Sequence, residues 1–490
     1  MATPVPPPVT TVNTPLGGGG GTMKQKPTNL PLREVPGSYG LPYLGALKDR
    51  WDFFYLQGDE AFFQTRKEKF KSTVVRANMP PAWPWTDPKC VMLLDQKSYS
   101  SVFDYKVVDK TDTFAGTFMP SVKYTGGMRM CAYLDPSEER HAALKSFCFE
   151  VMKMGASRWM PEFHKRMTEA FATWERNIGK QGSADFQAVC ADVMFKTLIK
   201  SLMNVDLDTV PEAERPSSGE LTAWVGLQLL PVVGPGIFPW PIDDLIFHAL
   251  PFSHVFTQSG YDKMVKFVHK YAAESLDVSQ KFNVSREDAA HNLIFFTGLN
   301  ALGGFAIFLP TIIQLVGASA PLQAELRVEI REAVKANGGL NMKAMQAMPL
   351  VESTVYEVMR FKPAVPYQYA RAKEDFILES HDAAYRIKKG ELLGGVAPFV
   401  LRDPAIFKDP ATFNPRRFMG KEGKELLHYH IWSNGRQNED SSVNSKQCAA
   451  KDLVPFIGRL LLAELLIKYD SFSLADKPSG SFSALSPATS

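Results

Sequence analysis

Past residue 137, apolar positions recur at spacings of three and four. SEERHAALKSFCFEVMK, from Ser137, and YDKMVKFVHKYAAESL, from Tyr261, both carry this period, which is that of a helix burying one face. LVPFIGRLLLAELLIKYD, from Leu453, repeats it with Phe456, Leu460, Ala463 and Ile467 on one side, and Asp452 and Pro455 suit its first turns. Two earlier runs, STVVRANMPP from Ser72 and CVMLLD from Cys90, are β-branched or apolar and end at turn formers, so they predict strands. DFILESHDAAYRIKKGELL predicts a β-hairpin region, with turns at Ser380-His381-Asp382 and Lys389-Gly390. The class these patterns give is mainly α with a minor β portion.

One apolar run needs separate treatment. From Asn292 to Leu322 there is no charged residue, a length that could span a bilayer. Asn300, Gly303-Gly304, Pro310 and Gln314 interrupt it, and no basic cluster or paired aromatic belt flanks it. Upstream, Ser285 and Asp288 have capping-box spacing. The run therefore predicts a helix buried on all sides in the centre of a large protein, not a transmembrane anchor. Its two glycines let something flat approach the backbone. Its amide, Asn300, must be paired or await a ligand.

Composition narrows the function. The 490 residues carry 55 basic and 52 acidic side chains, a net charge of +3, with no basic run to suggest nucleic acid. Five cysteines, an odd count without a CxxC, exclude a disulfide framework and a zinc ribbon and fit a reducing compartment. Residues 1–33 are rich in Pro, Thr and Gly, lack acids and cannot bury a core. They read as a disordered tail or a short plastid transit segment. Nothing between residues 40 and 475 reads as a linker, so 34–475 is expected as one large domain and 476–490 as a flexible C-terminal tail.

Cys448, in NSKQCAAKD, lies just ahead of a helix N-terminus, where the dipole favours a thiolate. Alone it is core filler as readily as a functional thiol. Other motifs change that. Glu357-Val358-Met359-Arg360 is an ExxR on a helical segment, and FNPRRF follows at 413–418. The order ExxR, PxRF, cysteine, helix resembles that of the cytochrome P-450 superfamily. The resemblance implies a single large haem-thiolate domain, a buttress of Glu357, Arg360 and Arg417, and haem b held with Cys448 as the iron ligand. Lys446 takes the place of a cation that meets a haem propionate.

The departures from that pattern are informative. The cysteine loop carries an insertion between Asn434-Gly435 and Cys448. The central helix reads Gly303-Gly304-Phe305-Ala306-Ile307, apolar where oxygen-activating members carry an acid–alcohol pair. A substrate that brings its own oxygen, a peroxide, fits this better than dioxygen and a reductase partner. The chain is similar to the plant fatty-acid hydroperoxide-metabolising branch: hydroperoxide lyase, allene oxide synthase and divinyl ether synthase. The motifs are PGSYGLP, RANMPP, FMPSVKYTGG, YLDPSE, LNALGG, ESHDA, WSNG and NSKQCAAKD, from about residue 33 to about 472. The resemblance implies that Lys110, His141 and Lys145 meet the propionates and that Asn300 hydrogen-bonds a fatty-acid hydroperoxide over iron. It also implies an oxylipin-forming lyase with a plastid or otherwise cytoplasmic or membrane-peripheral location. A haem sensor or electron carrier is the alternative from another class.

Within the branch the residues divide. Ala132 and Ala450, with WVGLQLLP and PYQYARA, look like lyases. Phe114 matches a phenylalanine typical of allene oxide synthases, where an aromatic face stabilises developing positive charge. Leu302 fits neither. The expectation is a hydroperoxide lyase, giving a short-chain aldehyde and an oxo-acid, with allene oxide synthase or divinyl ether synthase as alternatives.

Overall fold

The computed structural model describes residues 28–81, 86–234, 236–249, 252–476 and 480–488. Its strands, in chain order, are β1 (Leu32–Arg33), β2 (Val74–Asn78), β3 (Lys89–Leu93), β4 (Val108–Asp109), β5 (Ala184–Asp185), β6 (Tyr367–Ala372), β7 (Phe376–Glu379), β8 (Ala384–Ile387), β9 (Leu392–Val396), β10 (Tyr469–Leu474) and β11 (Ser481–Pro487). Three small sheets result, in the orders β2-β3-β9-β6-β4, β1-β8-β7 and β10-β11-β5. The two strands predicted before residue 95 pair antiparallel, Val74 opposite Leu93 through Asn78 opposite Lys89. The hairpin predicted around Ser380 forms as β7 against β8. Its turn is tied down by His381, whose Nε2 lies 2.7 Å from Asp403.

Helices fill the rest, and the largest apolar core lies among them. Three pack around the centre: Trp159–Gln181, Gln187–Met203 and Leu453–Lys468, the last buried without a break from Leu460 to Leu466 because neighbours meet it on more than one face. Most of the charge-free run lies in one continuous helix, Arg286–Gly317, through that core, and its last residues begin the next helix, Ala320–Ala336. Its first part, Arg286–Phe295, is capped by Ser285, whose hydroxyl accepts the Asp288 N–H at 3.1 Å. The expected capping box is only half made. The Asp288 carboxylate does not reach back; it is turned to Arg140, at 2.6 Å, a charge-assisted hydrogen bond between elements.

The expectation of burial on all sides is also corrected. The stretch Phe296–Leu302 is wound as a π-helix, and 67% of the most apolar window is buried. Asn300 and Ile307 are exposed and Gly304 is half-exposed, so one face of the helix, at i, i+4 and i+7, opens inward. π-helical turns are frequent at functional sites because they re-aim side chains locally. At the chain's end, the stretch from 476 expected as a flexible tail instead holds β11. It pairs with β10 and with β5, and Phe482 is fully buried against Trp174 and Phe186. At the other end Leu32 and Arg33, expected in the tail, form β1 beside β8. Residues 1–27, which carry most of the expected tail or transit segment, lie outside the described residues.

Candidate active site

The helix Pro349–Phe361 carries Glu357 and Arg360 one turn apart, both fully buried. Arg360 clasps the carboxylate in a fork, Nε to Oε2 and Nη2 to Oε1, each 2.7 Å. Arg417 adds a third donor, Nε to Oε2 at 3.0 Å. Two guanidinium charges thus share one carboxylate. Their remaining N–H groups go to carbonyls of Leu401, Pro410, Thr412, Lys408 and Asp409. The cluster therefore staples the irregular segment 401–417, and not the cysteine loop itself. That loop is held from the same helix by other groups. His430 Nε2 donates to the Tyr356 carbonyl at 2.9 Å, and Gln437 bridges Trp432, Lys451 and Asp452.

Cys448 is a half-buried free thiol whose N–H donates to the Ser433 carbonyl at 2.8 Å. Burial pushes its pKa up; the backbone N–H of Ala450 and the charge of Lys145 act against that. Those two are what a thiolate requires. His430, one of the two histidines nearest to it in sequence, is turned to the Tyr356 carbonyl. The inserted loop is ordered by Gln447, whose amide N–H reaches the Arg436 carbonyl at 2.6 Å across Gly435, where a side chain would collide with Gln447.

The four basic residues singled out from the sequence converge on this loop. Lys110 Nζ donates to Asn434 Oδ1 at 2.7 Å. His141 Nδ1 donates to the Val443 carbonyl at 3.0 Å, and Lys145 Nζ to the carbonyls of Gln447, at 2.6 Å, and Ser445. Lys446 Nζ is spent on the carbonyls of Ala132, Leu134 and Cys131, at 2.7, 2.8 and 3.2 Å. Among the described residues none of the four has a salt bridge. The nearby acid Glu138 is engaged by Arg129. Burial first, and then neighbouring cations, push Lys110 down to about 7 and His141 to about 4, while burial above all pushes Lys145 and Lys446 to about 8.

This set fits a haem. Buried cations without carboxylate partners are costly, and they call for an anionic group. Lys110 has two ammonium hydrogens left and Lys145 one, enough for a pair of propionates. Lys446 has none left and contributes its charge. Asn434, Gln437 and Gln447 escaped the sequence reading. Asn434 stands in the WSNG motif, but nothing in the sequence shows that an amide so far along the chain faces Lys110.

On the open face of the central helix the Asn300 side chain has no hydrogen-bond partner among the described residues, so of the two readings of this amide, paired or awaiting a ligand, the first is not what forms. A Cβ on Gly304 would meet nothing within 4 Å, so this glycine opens the face. Gly303 does not; it packs on Val225. Phe114 is half-buried, edge-on to Tyr133 at 5.8 Å and to Phe295 at 6.1 Å. Leu302 points away and is buried.

Known proteins resemble this chain along nearly all of its length. It is 41% identical over 470 residues to the fatty acid hydroperoxide lyase of Solanum lycopersicum, covering 94% of this chain and 98% of that one. Identity to the allene oxide synthase of Arabidopsis thaliana is 42% over 470 residues, 94% and 90%. To divinyl ether synthase CYP74D3 of Nicotiana tabacum it is 42% over 459 residues, 92% and 95%. Identity this even does not choose between the three. The retinoic acid bound cyanobacterial CYP120A1 superposes with a TM-score of 0.63 at 15% identity, covering 92% of this chain and 94% of that one, which establishes the fold. The cytochrome P-450 family model matches residues 318–438, which contain the ExxR helix and Arg417. The chain belongs to the cytochrome P-450 family, in the group that holds these hydroperoxide lyases, allene oxide synthases and divinyl ether synthases.

Proposed function

We propose that this protein cleaves polyunsaturated fatty-acid hydroperoxides without dioxygen or a reductase, with the hydroperoxide lyase outcome. The observation that carries the reading is Asn300: an unpartnered amide on an otherwise apolar open face, where no acid–alcohol pair exists to relay protons. Cys448 would hold the iron of haem b and Lys110, His141 and Lys145 its propionates, and the group would supply homolysis of the O–O bond, aided by the thiolate. Asn300 hydrogen-bonds the hydroperoxide and aims it. Gly304 leaves room for it, and Ile307 and the apolar wall keep water out. Phe114, Tyr133 and Phe295 form one aromatic wall.

After cleavage, the alkoxyl radical closes onto its double bond, and the carbon radical either takes back the hydroxyl cleaved from the peroxide or gives up an electron and a proton with which that hydroxyl leaves as water. Regaining oxygen gives a hemiacetal that falls into two carbonyl products, and Ala132 and Ala450 lean to that path. Loss gives the allene oxide, to which Phe114 leans. Product analysis with a hydroperoxide of linolenic acid tests the reading. Short-chain aldehydes support the lyase, ketols move the assignment to allene oxide synthase, and no conversion ends it.

The Solanum lycopersicum lyase and the Arabidopsis thaliana synthase are named chloroplastic, which supports a plastid location. A peripheral membrane position has a structural basis. Arg50 pairs with Asp244 at 2.5 Å and Trp51 meets Trp240 at 5.7 Å, which joins two segments into one patch bearing exposed Leu41, Leu44, Ile237, Ile242 and Leu245. Co-flotation with liposomes tests it; Leu245→Asp should weaken flotation, and no flotation of the unaltered chain rejects it.

A further inference from the structure

The aromatic wall at Phe114 does not end there. Phe295 meets Trp224 edge-on at 6.1 Å, and Trp224 stacks on Tyr261, centroids 5.3 Å apart and planes 17° apart. Tyr133, Trp224 and Tyr261 are all buried. From Tyr261 a hydrogen-bonded chain continues outward. Its Oη lies 2.5 Å from His291 Nδ1, His291 Nε2 is 3.0 Å from Glu287, and the other Glu287 oxygen is 2.9 Å from His269. Glu287 is 53% exposed, so the chain ends at solvent.

The donors can be assigned. A carboxylate only accepts, so His291 carries its proton on Nε2, leaves Nδ1 as acceptor, and Tyr261 donates. Burial first, and Glu287's charge after it, hold the phenol far from ionising by itself. An electron can therefore leave Tyr261 only together with its proton, and that proton has an acceptor and a way out. The KYTGG segment builds the arrangement. The Tyr124 carbonyl takes the Trp224 indole N–H at 2.9 Å, and Gly126, at φ +64°, lies where any side chain would strike the His291 ring. Neither substrate positioning nor haem binding uses these groups.

We propose that Tyr261, with His291 as its proton acceptor and Trp224 as the stepping stone, is a redox-active tyrosine that draws stray oxidising equivalents out of the site. This rests on the haem-thiolate reading and goes beyond it. It operates when an alkoxyl radical escapes before closing. The balance is one hydroperoxide plus one tyrosine giving an alkoxyl radical, a tyrosyl radical and water. The O–O bond breaks, Tyr261 supplies one electron through Trp224, its proton passes to His291, and the distal hydroxyl leaves as water with a proton from solvent. The site is left reduced, and a small-molecule thiol in solution returns the tyrosyl radical to tyrosine by giving one electron and one proton, itself ending as disulfide, so the relay can act again.

The test uses the haem-loaded protein, its Tyr261→Phe and Trp224→Phe variants, and two oxidants mixed separately: a hydroperoxide of linolenic acid and peracetic acid, which needs no fatty-acid recognition. Freeze-quenched samples are read by electron paramagnetic resonance. The expected result is a tyrosyl signal that is lost in Tyr261→Phe and several-fold weaker in Trp224→Phe. In a parallel assay with a thiol reductant present, Tyr261→Phe should also start at the unaltered rate but complete several-fold fewer turnovers before inactivation. An equal signal in Tyr261→Phe, or no protein radical with either oxidant, overturns the relay. A signal with peracetic acid and no conversion of the fatty-acid hydroperoxide supports the relay and rejects the proposed substrate. Where Trp224→Phe fails to load haem, Tyr261→Phe decides.

Discussion

The ammonium of Lys110 lies 2.7 Å from Oδ1 of Asn434, buried, with no ion pair among the described residues, and the charge of Asp135, which is bound to the Lys110 backbone N–H, offsets its burial only in part. An amide oxygen offsets part of the desolvation and none of the charge. Two effects of opposite sign follow for Lys110→Met. Without haem the variant should unfold at the same temperature or higher, because a strained charge is gone. With haem it should hold the group more weakly by about 2 kcal/mol, roughly 30-fold. Thermal unfolding with and without haem, and a haem-transfer titration, check both. A variant that retains haem as tightly as the unaltered chain would remove Lys110 from the propionate site.

Among the described residues the Asn300 side chain has no partner to lose. Asn300→Ala should therefore keep its fold and its haem absorbance while peroxide cleavage falls about 100-fold, the usual loss for one well-aimed donor. Unfolding temperature, haem content and stopped-flow cleavage separate these. A parallel fall in stability would mean that the amide is structural.

Glu357 carries two buried guanidinium groups. Glu357→Gln leaves both uncompensated and should destabilise the fold by about 3–5 kcal/mol. Urea unfolding measures it. The first region to lose hydrogen-exchange protection should be 401–417, since the released N–H groups hold its carbonyls, with the cysteine loop following.

His430 sets an acid limit. Its Nε2 proton is given to the Tyr356 carbonyl, and its other nitrogen is buried without a partner. Burial first, and the charge of Arg360 after it, push its pKa from 6.5 down to about 4. The unfolded chain then binds the proton more readily than the folded one between those values. Stability is full above pH 6.5 and falls as the pH drops toward 4, by about 3 kcal/mol from this residue. His430→Gln should flatten that part of the curve of unfolding temperature against pH; an unchanged slope assigns it elsewhere.

Phe114 touches Phe295 and Tyr133 and is not closed off by them. Phe114→Leu should shift products toward aldehydes if the unaltered protein forms any allene oxide. The ratio of aldehyde to ketol, taken at equal haem content, reads this directly, and a constant ratio removes Phe114 as the partition residue.

Much of this was legible along the chain. The helical period past residue 137, the strands at Val74 and Lys89 and the hairpin at Ser380 are local, because side-chain period and turn chemistry act over a few residues. The ExxR spacing likewise puts Glu357 and Arg360 on one face before any tertiary contact forms. The rest depends on partners distant in sequence. Asp288 could have closed a capping box, and Arg140 drew it away. Gly303 and Gly304 look alike in the sequence, yet Val225 covers one and nothing covers the other. Residues 481–487 carry no strong pattern and become a strand because β10 and β5 offer their edges.

By itself the sequence determined the helical class, the motif order that names the family, and the residue types of the site. The tertiary structure decided which polar groups are left over. Asn300 faces open space, Lys110 and Lys145 keep free donors, Lys446 does not, and Tyr261 finds His291 with an outlet to solvent. That division is physical. Propensity and periodicity are properties of neighbours in sequence, whereas an unmet charge or an unpaired amide exists only after every nearby partner has been placed.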